Sequence, residues 1–295
     1  MDAPSVSVLI PAYRSERTIG RTLTSLQSQT LPPLDVVVVD SSPVDSTGEL
    51  IRAQFPEILY HHSPSRLLPH AARNLAASLS RGDLVASIDP DAVAHPEWLE
   101  NLVSVYAERG GAVCGAVQCH GSGWTQSGSH LAKFDKWLPG GEVRRIDIGP
   151  TVSLLLARAD LERAGGWESQ YMIADTLLSW RLERLGTAMW FAPRSVVEHE
   201  HTDSWIELLH EMFSRGREFG YVRRTVQKWG LLRVLGMTVA SILPVRLIKI
   251  LMRVLFNAAR AGLLGSYVIT FPVVATGHMA RLAGEIAGYF GQARG

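Results

Sequence analysis

The sequence predicts an α/β protein with a mostly parallel central sheet, followed by a helical C-terminal segment. Three observations lead there. Short apolar runs alternate with helically patterned stretches through the first half of the chain. One run, Val36-Val37-Val38-Val39, is unbroken β-branched sequence of the kind found in strands buried on both faces. From Leu231 onward the composition turns apolar and basic.

Taken in order, residues 6–10 form a strand candidate, and residues 17–29 carry Ile19, Leu23 and Leu26 at helical spacing. After the Val36–Val39 strand, the turn-rich SSPVDSTG leads into a short helix over 50–55. Residues 58–61 read as strand, 71–80 as helix and 84–88 as an apolar strand. Pro96 sits at the first turn of a helix whose Trp98, Leu99, Leu102, Val105 and Tyr106 share one side. This alternation implies parallel strands with helices on both faces, and ligands bind such sheets at the carboxyl ends of the strands. The polar, Gly-rich stretch 120–149 reads as a loop or flap. Structure is expected to resume over 151–157, 188–191 and 196–199, with helices over 175–185 and 204–219.

The composition, 46% hydrophobic and 19% charged, supplies enough apolar material for a core and excludes a disordered chain. The net charge of +1 hides an asymmetry: residues 231–295 carry seven basic groups and one acid, whereas residues 1–230 carry 22 basic and 27 acidic groups. An acidic partner is expected for the tail alone, and no nucleic acid. The two cysteines, Cys114 and Cys119, are spaced C-x4-C, which is no zinc pattern without further ligands in register. They read as buried reduced thiols. With no charged-then-apolar leader at the N-terminus, this points to a reducing, cytosolic side.

Acidic residues cluster where strands should end. Asp40 closes VVVVD, Asp89 and Asp91 close LVASIDPD, and Asp175 stands at a helix start. Hard oxygen ligands in such a cluster suit Mg²⁺ or Mn²⁺ together with a phosphate-bearing ligand. A plain structural role competes at each position. Asp40 could begin an Asx turn, Asp89 and Asp91 could be turn residues around Pro90, and Asp175 could cap its helix. Arg73 could pair with a surface acid, and His199 and His201 could be loop residues.

Four segments stand in an order that resembles the family-2 glycosyltransferases of GT-A fold: VSVLIPAYRSERTIGRTLTSLQSQ, then VVVVD running into SSPVDST, then HAARNLAASLSRGDLVASIDPDA, and last GGW with ADTLLSWRL. The likeness covers roughly residues 5–220. It implies a metal-dependent enzyme that passes a sugar from a nucleotide-sugar donor to an acceptor hydroxyl, with inversion. By this resemblance Pro11, Ala12 and Tyr13 wrap the nucleobase and Asp40 accepts from a base N–H. Arg73 neutralises diphosphate charge, Asp89 approaches ribose or phosphate, and Asp91 ligates the metal. One of His199 and His201, His199 by preference, adds a metal or diphosphate ligand. Asp175 is the general base. Ala174 stands where the family usually has Glu, and Arg14 where Asn is common. The Q-x-x-R-W motif of polymerising members is absent, which argues against a processive synthase. The competing class is a non-catalytic sugar-nucleotide-binding or scaffold protein. A dinucleotide enzyme is excluded because no G-x-G-x-x-G follows the first strand.

The expected organisation is a catalytic domain over 1–225 and a membrane-association segment over 226–295. Arg246, Lys249, Arg253 and Arg260 fall within a helical stripe about 60° wide, suited to anionic headgroups. Residues 261–280 are long enough to span a bilayer, but Gly262, Gly265, Pro272 and Gly277 interrupt them. A peripheral or re-entrant association on the cytoplasmic face is therefore preferred over a single span, and docking against the catalytic domain or a dimer partner is the competing reading. Many family members with lipid-linked or cell-envelope glycan acceptors look similar here.

Overall fold

A computed structural model describes residues 4–291. The chain divides into two compact units. One holds the residues up to Gln118 with Pro139–His199, and the other holds Cys119–Leu138 with the residues from Glu200 onward.

The first unit opens with β1 (Val6–Ala12), α1 (Ile19–Gln27), β2 (Asp35–Asp40), α2 (Ser46–Gln54), β3 (Leu59–His62), α3 (Pro69–Leu79) and β4 (Leu84–Ile88). β5 (Ala92–Ala94), α4 (Trp98–Arg109) and β6 (Ala112–His120) follow. α5 (Trp124–Phe134) lies in the second unit, and the chain returns through β7 (Arg144–Arg145), β8 (Ser153–Ala157), α6 (Arg158–Arg163), α7 (Ala174–Arg184) and β9 (Met189–Glu200). The remaining elements are α8 (Trp205–Thr225), α9 (Leu231–Ile242), α10 (Val245–Arg260) and α11 (Leu264–Phe290).

The sheet runs β3-β2-β1-β4-β8-β6-β9-β5, with β7 added on β9. β1 pairs in parallel with β2 and β4, and β2 with β3, as the alternating pattern predicts. β1, β2 and β4 are buried along their whole length, which explains why they read as continuous apolar runs. The α/β class holds, but the sheet is mixed rather than mostly parallel. β8 joins β4 and β6 antiparallel, and β9 joins β5 and β7 antiparallel. Pairing direction is set by how the chain returns to the sheet, which apolar patterning does not record.

Two further expectations are corrected. The runs 188–191 and 196–199 are not separate, because from Met189 onward they form one strand, β9, that continues through Pro193. The stretch 120–149 is not all loop, because it contains the eleven-residue helix α5. Its Gly128 faces α11 so closely that a Cβ there would lie 2.6 Å from Cβ of Val273. The polarity that reads as flap is thus the small-residue face of a packed helix.

In the second unit α11 packs against α8 through glycines on both helices. A Cβ on Gly216 or Gly220 would lie 2.0 or 2.1 Å from the carbonyl oxygens of Arg281 and Glu285, and one on Gly284 or Gly288 would lie 2.0 Å from those of Phe213 and Arg217. Small residues four apart on both partners let the two backbones meet. Glu285, 1% exposed, accepts from Arg223 at 2.6 Å, from Arg246 at 2.9 Å and from the Tyr289 hydroxyl at 2.5 Å. Burial works against its charge, but the bonds from Arg246 and Tyr289 and the nearby Arg223 outweigh it and hold its carboxyl below the usual range.

These bonds also revise the expected basic stripe. Arg246 is engaged with Glu285, and Arg253 forms a two-point pair with Asp135 at 2.8 and 3.0 Å. Lys249 and Arg260 are exposed. Arg294, counted in the tail's charge, lies outside the described residues. Among the described residues no single helix is long and apolar enough to cross a membrane. Only α9 with α10, bent by 67°, passes as a pair.

We expect Gly220→Val to separate α8 from α11, since the added atoms fall on backbone that cannot move aside. Over-packing of this kind costs roughly 1–3 kcal/mol or more, visible as a fall in the urea midpoint; an unchanged midpoint would refute the close packing.

His278 on α11 is 1% exposed, and neither ring nitrogen has a hydrogen-bond partner. Burial, helped by Arg281 and then Arg253, pushes it from 6.5 down to about 3. The unfolded chain therefore binds the proton first, so this group's stabilisation is full above pH ~6.5 and is lost as pH falls toward ~3. His278→Leu should flatten that part of the stability–pH curve. An equally steep acid limb in the variant would locate the sensitivity elsewhere.

Candidate active site

Parallel pairing brings the carboxyl ends of β1, β2 and β4 to one edge. Ala12 stands level with Asp40, and Leu9 with Ser87, so Tyr13, Asp40 and Asp89 emerge side by side. Crevices at this edge are where α/β sheets bind ligands.

Pro11 and Ala12 are buried at the end of β1, and Tyr13 is half-buried beyond it. The guanidinium of Arg66 lies 4.7 Å from the centre of the Tyr13 ring and that of Arg14 5.4 Å, so two cations flank one aromatic side chain. Arg14 takes a left-handed backbone, φ 52°, and its N–H donates to the Ser42 hydroxyl at 2.6 Å.

Asp40 is fully buried. Its Oδ1 accepts from the Ser42 N–H at 2.9 Å and the Ser42 hydroxyl at 2.6 Å, and its Oδ2 accepts from the Tyr60 hydroxyl at 3.1 Å. The Asx turn considered for Asp40 does form. Burial, Asp45 and Asp40 together push the Tyr60 phenol far up, so it remains a donor.

Arg73 of α3 is 2% exposed and spans three partners. Nε donates to Ser87 Oγ at 2.8 Å, one terminal nitrogen meets His70 Nδ1 at 3.3 Å, and the other donates to Asp89 Oδ1. It therefore pairs with a site acid rather than a surface one. His70 continues the chain, its Nε2 lying 3.4 Å from the carbonyl of Met172, three residues before Asp175. On the next residue of α3, Asn74 clasps Trp167 of the GGW segment, donating to its carbonyl at 2.7 Å and accepting from its N–H at 2.8 Å. The sequence pattern alone does not single out His70 or Asn74. For His70 the available signal is its place three positions before Arg73, on the same helical face, and for Asn74 there is none.

The Asp89-Pro90-Asp91 turn is held by the Ala92 N–H on the Asp89 carbonyl at 3.1 Å and by the Thr22 hydroxyl on that of Pro90 at 3.0 Å. β9 runs beside it, with His199 level with Ala92. His199 Nε2 lies 3.7 Å from Asp89 Oδ2 and 3.5 Å from Asp91 Oδ1, and one ligand atom from each of the three residues lies within 4.8 Å of the others. Burial opposes ionisation of Asp89, but Arg73 and then His199 hold its carboxyl well below the usual range, so it is anionic at neutral pH. Two carboxylates and an imidazole at this spacing fit a divalent cation with oxygen and nitrogen preference. His201 is not in this group. It meets His130 instead.

Asp175 lies in the first turn of α7, where the N-cap is Ile173. Asp175 is thus not the cap, although its Oδ1 accepts from the Thr176 N–H at 2.7 Å from inside the helix. The residue before it, Ala174, is fully buried.

The profile of Glycosyl transferase family 2 matches residues 7–154. The chain belongs to this family. Among relatives, this family-2 chain is 25% identical over 224 residues to the probable glycosyltransferase YdaM of Bacillus subtilis, covering 69% of this chain and 52% of that protein. It is 28% identical over 225 residues to glycosyltransferase AglE of Haloferax volcanii, covering 72% of each. The chain thus spans about half the length of the first relative. The mannosyltransferase PcManGT from Pyrobaculum calidifontis, solved with GDP-Man and Mn²⁺, superposes with a TM-score of 0.64 at 19% identity over 98% of this chain and 88% of that one. GalNAc-T7, solved with UDP, GalNAc and Mn²⁺, gives 0.55 at 16% identity over 68% and 43%. These likenesses show a shared GT-A-type fold.

Proposed function

We propose that this family-2 chain is a metal-dependent inverting glycosyltransferase, taking sugar from a nucleotide-sugar donor to the hydroxyl of a glycan or lipid-linked acceptor. The observation that carries it is the convergence of Asp40, Arg73, Asp89, Asp91 and His199 on one unit, at the edge where parallel strands end. The Mn²⁺ and nucleotide-sugar components named for PcManGT and GalNAc-T7 are consistent with this.

Pro11, Ala12 and Tyr13 flank the base, with Arg66 and Arg14 making the Tyr13 side electropositive. Asp40 accepts a base N–H, since each carboxylate oxygen has two lone-pair sites and the bonds from Ser42 and Tyr60 leave capacity. Arg73 supplies positive charge near the diphosphate, and its bonds orient Asp89 toward the ribose or phosphate. Asp91 and His199, with Asp89 beside them, would hold Mg²⁺ or Mn²⁺, which when bound offsets charge on the departing diphosphate. Asp175 takes the acceptor hydroxyl's proton. The acceptor oxygen bonds to the sugar carbon as the bond to diphosphate breaks on the opposite face, which inverts that centre.

The test screens UDP-, GDP- and dTDP-sugars for binding and transfer with Mn²⁺. Asp175→Asn should keep donor affinity and lose transfer by about a hundredfold or more, and Asp91→Ala should lose the Mn²⁺-dependent part of diphosphate binding. Near-wild-type turnover in Asp175→Asn would remove the base assignment. Wild-type protein that binds a donor and transfers nothing would favour the non-catalytic reading, to which the buried Ala174 lends support.

We further propose that the second unit attaches peripherally to the cytoplasmic face of a membrane. Leu232 at 86% exposure and Ile242 at 71% on α9, and Phe256 at 58% on α10, support this, with Lys249 and Arg260 exposed on α10. Because Arg246 and Arg253 are engaged internally, apolar insertion should dominate. Changing Leu232, Ile242 and Phe256 to Gln should abolish flotation with anionic vesicles. Lys249→Gln with Arg260→Gln should weaken it by only about 1 kcal/mol per charge, in a salt-dependent way. Wild-type protein that ignores vesicles and runs as a stable dimer would overturn the membrane reading.

A further inference from the structure

The second unit holds a cluster of a different chemical kind. Cys119 at the end of β6, His130 in the middle of α5, and His201 just after β9 place one ligand atom each within 4.8 Å of one another. Nδ1 of His130 and Nε2 of His201 are 3.1 Å apart. Both imidazoles are buried, at 2% and 6% exposure, and Cys119 is half-buried. Phe134 packs against both rings, with centroids 5.9 and 5.7 Å away.

We propose that Cys119, His130 and His201 form a second metal centre that takes zinc. The donor set decides the metal. One thiolate with two imidazoles is softer than the carboxylate-rich group of Asp89, Asp91 and His199, and it selects Zn²⁺ over Mg²⁺ or Mn²⁺. The dimensions also agree. Bond lengths of about 2.0–2.1 Å to nitrogen and 2.3 Å to sulfur put tetrahedral ligand atoms roughly 3.3–3.6 Å apart, so small rotations of these side chains complete the geometry. Three protein ligands leave the fourth position to water. Binding displaces the thiol proton of Cys119 and fixes both imidazoles as neutral ligands through one nitrogen each.

The site is separate in chemistry from the donor site, though His199 and His201 are two residues apart. It would tie α5 to the end of β6 and to the segment entering α8, stiffening a helix whose small residues Gly128 and Ser129 contribute little apolar packing of their own. The ligands are scattered at 119, 130 and 201, so no metal-binding spacing is visible in the sequence. The C-x4-C pair misleads, because its other member, Cys114, lies fully buried in the sheet and burial pushes its thiol far up.

The test uses the full-length chain, stripped with a chelator and titrated with Co²⁺ as the probe. Wild-type protein should develop a near-ultraviolet thiolate-to-cobalt band that saturates at one equivalent and is bleached by one equivalent of Zn²⁺. Asp91→Ala and Cys114→Ser should keep the band, and Cys119→Ser should lose it. In wild-type protein, Zn²⁺ should also slow alkylation of Cys119 by about tenfold or more, a readout that does not depend on any variant folding. Absence of the band in wild type, its survival in Cys119→Ser, its loss in Asp91→Ala, or unchanged alkylation would each overturn the proposal. The contact between His130 and His201 would then be a hydrogen bond between two imidazoles.

Discussion

Arg73 carries a full positive charge at a position that is almost sealed from water, and the active-site edge is arranged around that charge. Such a group is tolerated only when it is paired and hydrogen-bonded. Ser87 at the end of β4, His70 one turn earlier on α3, and the Asp89 carboxylate meet that demand. The consequence is structural as well as electrostatic. The Arg73 bonds fix α3 against β4, hold Asp89 ionised, and through His70 reach the segment that leads into α7. Asn74, next along α3, secures the GGW segment by the same logic of paired backbone groups. One helix thus sets the positions of both the acid-rich turn and the stretch leading to Asp175.

The second unit is organised by a comparable constraint. α8 and α11 approach until only glycine fits at Gly216, Gly220, Gly284 and Gly288. The same helices carry the buried Glu285 and one of the arginines that satisfy it, Arg223, while Arg246 reaches in from α10. Close packing and charge pairing here reinforce each other. Glycine removes the side chains that would keep the helices apart, and Arg223 and Arg246 pair the carboxylate that this packing buries. This explains why a segment with many basic residues still presents an apolar outer surface. Arg246 and Arg253 turn toward internal carboxylates while Ile248, Met252 and Phe256 face outward.

The legible parts of the sequence are those in which chemistry follows directly from local pattern. The Val36–Val39 run announces a fully buried strand because burial on both faces excludes polar alternation. Asp40, Asp89 and Asp91 stand out because carboxylates at the ends of such strands demand partners. Ser42, Tyr60, Arg73 and His199 supply them. Helix α5 is illegible because its Gly and Ser content mimics a loop until α11 is laid across it. His70 escapes notice because a lone histidine on a helix acquires meaning only from what it touches.

The sequence by itself determined the α/β class, the parallel half of the sheet and the set of acids at its edge. Each of these follows from residue type and short-range spacing. The tertiary structure decided the antiparallel strands, the separation of His199 from His201, and the fate of the basic stripe. Those depend on contacts between residues far apart in the chain. Asp135 meets Arg253 and Glu285 meets Arg246 only once the helices have packed, and a charge that reads as free along the sequence becomes half of an internal pair.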